Sequence, residues 1–407
     1  MVLEDYDKDA DLGGVERDFR RFRELGVTGW RGSFGWDDYE PAPGRYDFAW
    51  LLRFVDLSHR YGLTLRPYLG YTPAWAAVGR EADGQQWNDP PRRPADFARF
   101  AARLAAALRP HGTVASYEIY NEENTRLWWD GSAEEYARVY AEAAESLRAA
   151  VPGVAVLPGG LVWPDAEWLR TVCEAGRSPP PIAAAAVHLY AETWTPDSVT
   201  LERAISDLAG REFRATVDGP CGRPPLWANE IGFATAHGKT EQAQAGWWVR
   251  AIAGLASDPR IALIGIYEIK DLAPGRDVIG EAENYHLGLL RADGTPKLAF
   301  RTVRLLVHLF GQAIAPARVR VRRHAPADTG APLEVRAFRR ADGRLLLFAW
   351  VPPGRRPLTV DVELPSKVRR AASYTLDGTP SGIPVRQRVV PDLRVEPGAP
   401  RVLLIDP

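Results

Sequence analysis

Cysteine is scarce in this chain of 407 residues: only Cys173 and Cys221 occur. Far apart and in no metal-ligand spacing, they exclude a disulfide-stapled scaffold and a zinc ribbon. Two unpaired thiols are the expectation, with a single bridge as the alternative. The seven histidines include no His-x-His or comparable pair, which speaks against a metal-dependent hydrolase or lyase, so no metal and no cofactor is expected. No run approaches the ~18 consecutive apolar residues of a membrane span. The opening segment, MVLEDYDKDAD, is acidic and has no apolar signal core. Cytoplasmic residence is therefore expected for the chain as written, and secretion if an export signal has been removed. Net charge is also missing: the formal value is -1, which gives no reason to expect nucleic acid or an anionic membrane as partner.

Apolar residues make up 46% of the chain and charged residues 25%, enough for a sizeable core with an ordinary surface. The charge balance hides an asymmetry. From Gly311 onward there are 17 Lys+Arg and 9 Asp+Glu, so this tail carries +8 and the remainder -9. A solvated, Arg-rich sheet surface is the simplest reading of it. The oligomeric state is not legible.

Along the first three-quarters of the chain, short apolar runs alternate with amphipathic helical patterns, as in parallel βα units. The runs are Val27–Ser33, Leu63–Leu69, Ser116–Tyr120, Val154–Leu157, Ile182–Tyr190, Leu226–Asn229 and Ile261–Ile269. Helices are expected at Gly14–Leu25, Pro94–Leu108, Ala133–Ala150, Thr240–Leu255 and Lys297–Phe310. The fold class expected is α/β, a (β/α)8 barrel over residues 1–312. Seven strands are evident and the first is missing; either a short strand lies within Met1–Tyr6 or the natural chain begins upstream. After residue 312 the texture changes to short β runs broken by Pro and Gly. Residues 313–407 therefore read as a small C-terminal antiparallel β-sandwich, more a brace than a binding module.

In such a barrel the reacting groups sit at the C-terminal ends of strands. Two strand ends carry carboxylates: Ser-Tyr-Glu-Ile-Tyr-Asn-Glu ends in Glu122, and Pro-Leu-Trp-Ala-Asn-Glu ends in Glu230. By count these are the fourth and seventh strands, which face each other across the mouth. A single strand-end Glu is usually a solvated surface group. A facing pair is what glycosidic cleavage requires, because the leaving oxygen needs a proton and the oxocarbenium-like transition state needs a negative partner.

At these residues the chain resembles the retaining glycosidases of glycoside hydrolase clan A, most closely those of family 39, over about residues 14–312. Further resemblance lies in Trp30-Arg31 through Trp36-Asp37-Asp38-Tyr39-Glu40-Pro41, in Pro67-Tyr68 through Trp75, in His188-Leu189-Tyr190, and in Tyr267-Glu268-Ile269-Lys270-Asp271 with His286-Leu287-Gly288-Leu289. The resemblance implies that Glu122 is the general acid/base and Glu230 the nucleophile. It implies that Asn121 bonds the sugar 2-hydroxyl, that Tyr190 donates to Glu230, that Arg31 holds the Glu230 pKa low, and that His188 belongs to the substrate site. The chain departs from the clan at Glu123, where Pro often follows Asn-Glu. It departs again at Ile266-Tyr267, where a Trp platform is common, so Tyr267 is expected to share the stacking role.

Fourteen tryptophans are a heavy load. Trp75, Trp128, Trp129, Trp163 and Trp194 follow expected strands on the catalytic face, where an indole can stack on a sugar's C–H face. Trp75, Trp128, Trp129 and Trp163 are the substrate contacts expected. The function expected is retaining hydrolysis of a β-linked glycoside, oligosaccharide or polysaccharide, with a carbohydrate as the partner molecule. The alternative is a carbohydrate-binding barrel without catalysis. The loops Ala76–Asp89 and Asp271–Tyr285 are candidates to wall the site.

Overall fold

The computed structural model describes residues 1–79, 85–175, 182–196, 198–275, 282–311, 314–324 and 332–406. The expected domain boundary at 312–313, and the middles of the two loops named above, lie outside the described residues. The chain forms two compact units. The first comprises Met1–Leu189, Ser206–Ile231 and Arg260–Tyr267; the second comprises Tyr190–Ile205, Gly232–Pro259 and Glu268–Pro407.

The first unit opens with β1 (Val2–Leu3), α1 (Leu12–Leu25), β2 (Gly29–Arg31), α2 (Trp36–Tyr39) and α3 (Ala49–Arg60). It continues through β3 (Thr64–Leu65), β4 (Tyr68–Leu69), α4 (Pro94–Leu108), β5 (Ser116–Ile119) and α5 (Ala133–Ala150). Then come β6 (Ala155–Pro158), β7 (Leu161–Val162), α6 (Ala166–Glu174) and β8 (Ala185–Leu189). Beyond α7 (Leu201–Leu208) lie α8 (Arg211–Asp218), β9 (Leu226–Ile231), α9 (Glu241–Ala256), β10 (Ile261–Ile266) and α10 (Leu298–Phe310); α9 and α10 belong to the second unit.

Local sequence explains where these helices begin and end. Asp11 caps α1 by accepting from the Gly13 and Gly14 amides, and Gly26 closes it with a left-handed φ of 78°, a conformation that costs glycine nothing. Val15, Phe19 and Phe22 fall on one buried face of that helix. Ser132 and Glu135 form a reciprocal capping box at the start of α5.

Seven strands pair in the order β3-β2-β1-β10-β9-β8-β7, and a second sheet runs β4-β5-β6; every pair in both is parallel. The missing first strand is β1, inside Met1–Tyr6 and only two residues long, too short to leave a periodic trace. It places the last strand of the series beside the first: Val2 pairs with Ile266 on one side and with Trp30 on the other. The run at residues 64–69 is interrupted at Arg66-Pro67, and the run at 155–162 at Gly159-Gly160. Single parallel bridges, Ser33 with Tyr68 and Leu65 with Val114, connect across the first of these breaks.

The two cysteines are not free. Cys173 on α6 and Cys221, just past α8, are joined in a disulfide with Cα atoms 5.0 Å apart. They are 48 positions apart in the sequence, and only the packing of α6 near α8, invisible in sequence, brings them within bonding reach.

The second unit carries the antiparallel part: β11 (Ile314–Ala317), β12 (Arg320–Arg323), β13 (Glu334–Arg340), β14 (Leu345–Trp350), β15 (Leu358–Glu363), β16 (Arg370–Tyr374), β17 (Pro380–Ile383), β18 (Val389–Val395) and β19 (Arg401–Asp406). Six strands pair as β11-β13-β14-β19-β16-β17 and three as β12-β15-β18. Leu345, Leu347 and Ala349 of β14 pack with Leu358, Val360, Leu393 and Val395 of the smaller sheet. The alternate residues Leu346, Phe348 and Trp350 pack with Val249 and Ala253 of α9 and with Leu306 and Leu309 of α10. Both faces of β14 are therefore covered, which is why its sequence is continuously apolar rather than alternating.

Candidate active site

The site is built on strand ends of the first unit. Glu118 sits in the middle of β5, fully buried. Beyond that strand the backbone leaves extended geometry: Tyr120 has φ 59° and Glu122 φ 49°. Tyr71 (φ 64°) and Trp163 (φ 63°) hold the same left-handed conformation at neighbouring strand ends. Each such non-glycine residue costs about 1–3 kcal/mol and persists only where surrounding contacts dictate it. Here the Tyr120 amide donates to Leu69 O at 2.6 Å and the Glu122 amide to Gly160 O at 3.1 Å, which together turn Glu122 away from its strand.

Arg31, at the end of β2, organises the floor. Its Nε and Nη2 donate to the Glu118 carboxylate at 2.9–3.1 Å, its Nη1 donates to Glu230 Oε2 at 2.6 Å, and its Nη2 also donates to Asn121 Oδ1 at 2.9 Å. Asn229 Nδ2 donates to Glu118 Oε2 at 2.9 Å. The guanidinium also lies over the Tyr68 ring, 4.8 Å from its centroid. Arg31 is wholly buried. Burial alone disfavours its charge, but Glu118 and Glu230 more than offset this and raise its pKa further. Arg31 is thus closed off from substrate and acts on Glu230. Glu118 and Asn229 were not among the expected site residues. The available signal was a carboxylate inside an otherwise apolar strand, which must find a buried cation.

His188, near the end of β8, is also buried, so it does not reach substrate as expected. Its Nδ1 lies 2.7 Å from Glu122 Oε1 and its Nε2 3.6 Å from Glu230 Oε2. Burial, aided by the Arg31 charge, lowers its pKa to about 4 against the raising effect of Glu230, so the imidazole is neutral near pH 7. Glu122 moves the other way: burial pushes its pKa up to about 7, while the Arg31 charge and the nearby Trp128 indole pull against the rise. One oxygen of Glu122 and one of Glu230 lie within 4.8 Å of each other.

Glu123 lies beneath the same turn, wholly buried with neither carboxyl oxygen hydrogen-bonded. Burial, then the charges of Glu118 and Glu122, raise its pKa to about 8. It is therefore a neutral acid at pH 7, packed under Gly159.

The aromatic residues divide. Trp128 is half-buried beside Glu122. Trp163 is half-buried, with its amide on His188 O and its indole N–H on Asp207. Trp75 is half-buried edge-on to Trp36, with its N–H on Glu40 O. Tyr267 follows β10, half-buried, its amide on Ile231 O. Trp129 departs from expectation: it is 1% exposed, wedged between Tyr120 and Tyr136 with its N–H on Ser132 O, and so is core rather than substrate surface. Tyr190 belongs to the second unit, buried with its ring 4.3 Å from that of Trp194.

Among the described residues two groups have donor atoms close enough for a metal ion: Glu122–His188–Glu230, and His324–Asp361–Asp392 in the sandwich. In the first, the Arg31 guanidinium already holds Glu230 and places a full positive charge beside any incoming cation. In the second, Arg322 and the Asp392 amide occupy the Asp361 carboxylate. Both arrangements suit proton transfer and ion pairing better than coordination.

A β-galactosidase family model, of the glycoside hydrolase family 42 type, matches residues 8–80. Among curated proteins none matches the sequence. Solved structures are similar over the whole chain. A family 39 glycoside hydrolase from Bacteroides cellulosilyticus WH2 shares 17% identity at a TM-score of 0.74, covering 100% of this chain and 80% of its own. A monomeric β-xylosidase from Caulobacter crescentus CB15 shares 16% identity at 0.68, covering 100% and 95%. A family 30 endoxylanase from Clostridium papyrosolvens C71 shares 11% at 0.65, again covering 100% and 95%. In its fold this chain resembles the clan A glycoside hydrolases, family 39 among them.

Proposed function

We propose that the protein is a retaining glycoside hydrolase acting on a β-linked saccharide, with Glu122 as general acid/base and Glu230 as nucleophile. The observation that carries this is the unlike environment of two carboxyls whose oxygens approach within 4.8 Å. Glu122 is pushed up to about 7 and can carry a proton; Glu230 is ion-paired to Arg31 at 2.6 Å, which favours its ionised form. Pairs of carboxyls held apart in this way are the mark of acid and nucleophile roles. A close pair leaves no room for a water between base and sugar, as inversion would need, and so favours a covalent route. The two parallel sheets are read as one closed eight-stranded barrel, because each is interrupted where the other begins and the last strand lies beside the first.

In the first step Glu230 attacks the anomeric carbon as Glu122 gives its proton to the leaving oxygen. In the second, Glu122 takes a proton from water, which attacks the same carbon and releases Glu230. Asn121, fixed by Arg31, is placed to meet a hydroxyl of the reacting sugar. Its Oδ1 is taken, so the amide NH2 is the group offered.

Aryl β-glycosides of xylose, galactose and glucose, offered to wild type, Glu230→Ala and Glu122→Ala with and without azide, test this reading. Each variant is expected to lose about 10²–10⁴-fold or more in rate. Glu230→Ala should then yield an α-glycosyl azide and Glu122→Ala a β-glycosyl azide. Full activity in both variants would overturn the assignment. Sugar binding without turnover in wild type would favour a carbohydrate-binding barrel.

A further inference from the structure

One end of the β-sandwich in the second unit carries far more positive charge than negative. The β13–β14 turn, the β15–β16 loop and the β17–β18 loop meet there, and backbone bonds tie them together. The Val368 amide donates to Gln387 O at 2.8 Å, the Leu364 amide to Arg388 O at 2.7 Å, and the Arg369 amide to Asp406 O at 3.0 Å. Leu345 pairs with Ile405, which brings the β13–β14 turn beside Asp406. Residues 340–344, 363–370, 384–388 and 406 hold seven basic side chains against three acidic ones. All three acids are taken: Asp342 by Arg340 and Arg344, Asp406 by Arg370, and Glu363 by Arg388. Lys367, Arg369 and Arg386 are left exposed, and among the described residues no carboxylate pairs with them.

We propose that this end of the sandwich is a docking surface for an acidic polysaccharide, whose carboxylates are received by Lys367, Arg369 and Arg386. The choice of a saccharide rests on the glycosidase reading. Like charges crowded onto adjacent loops work against the folded state, and nothing in the strand pairing calls for them. A bound polyanion removes that repulsion. Arginine suits carboxylates because its planar fork gives two parallel hydrogen bonds. The surface also lacks rings. After residue 311 the aromatic residues are Phe338, Phe348, Trp350 and Tyr374. The first three are buried, and Tyr374 pairs with Pro380 at the opposite end of β16 from Arg370. No ring is therefore at hand to stack on a nucleic-acid base or to sink into a bilayer. Charge is what remains for recognition, and it matches a hydrophilic chain bearing carboxylates at intervals. A polymer held here stays at the enzyme's surface between turnovers, at a raised effective concentration.

The test measures binding of polygalacturonate to the full chain by titration calorimetry at low and high salt. Its methyl ester, the same polymer without the charges, is the control. The variant combines Lys367→Ser, Arg369→Ser and Arg386→Ser, exposed positions whose side chains hold no partner. Wild type should bind polygalacturonate with an affinity that falls as salt rises, and should not bind the ester. The triple variant should bind about tenfold or more weakly, with a flatter salt dependence. Its unfolding midpoint and its turnover of aryl glycosides should match those of wild type. Unchanged affinity in the triple variant, equal binding of the ester, or no binding by wild type would overturn the surface. Single-stranded DNA or phosphatidylglycerol vesicles bound as tightly as polygalacturonate would overturn the saccharide as its partner. Because binding is read without turnover, an inactive wild type that still binds polygalacturonate through these residues would sink the glycosidase reading and support the docking surface.

Discussion

The His188 ring stands between the two central carboxylates, with Nδ1 2.7 Å from Glu122 Oε1 and Nε2 3.6 Å from Glu230 Oε2. Because its pKa is lowered to about 4, the ring stays neutral across the working range. It fills the space between two acids without adding charge. It thereby keeps water from Glu122, and burial is the chief reason that the Glu122 pKa is raised to about 7.

A pH dependence follows from that arrangement. Glu122 must be protonated to act as acid, and its raised pKa keeps the proton on up to about pH 7. The kcat/KM profile should therefore fall as pH rises through about 7, not near the ordinary range for glutamate. Replacing the ring in His188→Ala admits water to Glu122 and weakens the desolvation. The basic limb should then move to lower pH, even though a possible N–H donor is lost as well. A limb at the same pH in wild type and His188→Ala would show that the imidazole does not set the Glu122 environment.

Arg31 neutralises two buried carboxylates at once, Glu118 and Glu230. Arg31→Met leaves both charges uncompensated and should lower stability to denaturant by about 3–5 kcal/mol. The loss should shrink when Glu118→Gln is added, because one of the stranded charges is then removed. Additive losses in the double variant would mean that Arg31 stabilises the unit by some route other than this pair.

How much of this was legible in the sequence follows from what each feature depends on. Glu122 and Glu230 were visible because strand ends and their neighbours are local patterns. The helices at Pro94–Leu108 and Ala133–Ala150 were found to the residue because their starts carry Pro and a capping box. β11 and β17 each contain a proline and sit at an edge of the six-stranded sheet, where pairing on one side alone leaves a weak sequence signal. Glu118, Asn229 and the burial of Trp129 depend on contacts between distant strands and helices, which no local pattern records. The Arg31–Glu118 contact spans 87 residues.

The disulfide between Cys173 and Cys221 closes a loop of 48 residues. By loop-closure entropy its reduction should cost about 4 kcal/mol of stability. Thiol titration of the denatured protein should find no free thiol before reduction and both cysteines after it, with the unfolding midpoint falling on reduction. Two titratable thiols in the untreated protein would show that the bond does not form. Such a bond also favours an oxidising compartment for the protein, which localisation of the full-length chain in its host would check.

Gly160 lies at the break in the strand at residues 155–162 and against the His188 ring. A Cβ at Gly160 would lie 2.0 Å from His188 Nε2 and 2.9 Å from Asn229 Oδ1, so this position admits only hydrogen if the imidazole is to hold its place. The Gly160 carbonyl also receives the Glu122 amide, tying the acid's backbone to the same residue. Gly160→Ala must push the ring away, and it should lower kcat/KM about 10²-fold, the scale of a displacement near 1 Å in a catalytic group. If the clash with the ring is the cause, His188→Ala removes it. Gly160→Ala should then cost much less in the His188→Ala background than in wild type, a coupling that a double-mutant cycle measures directly. Equal costs in both backgrounds would place the effect of Gly160 in the backbone turn beneath Glu122 instead of in the packing of His188.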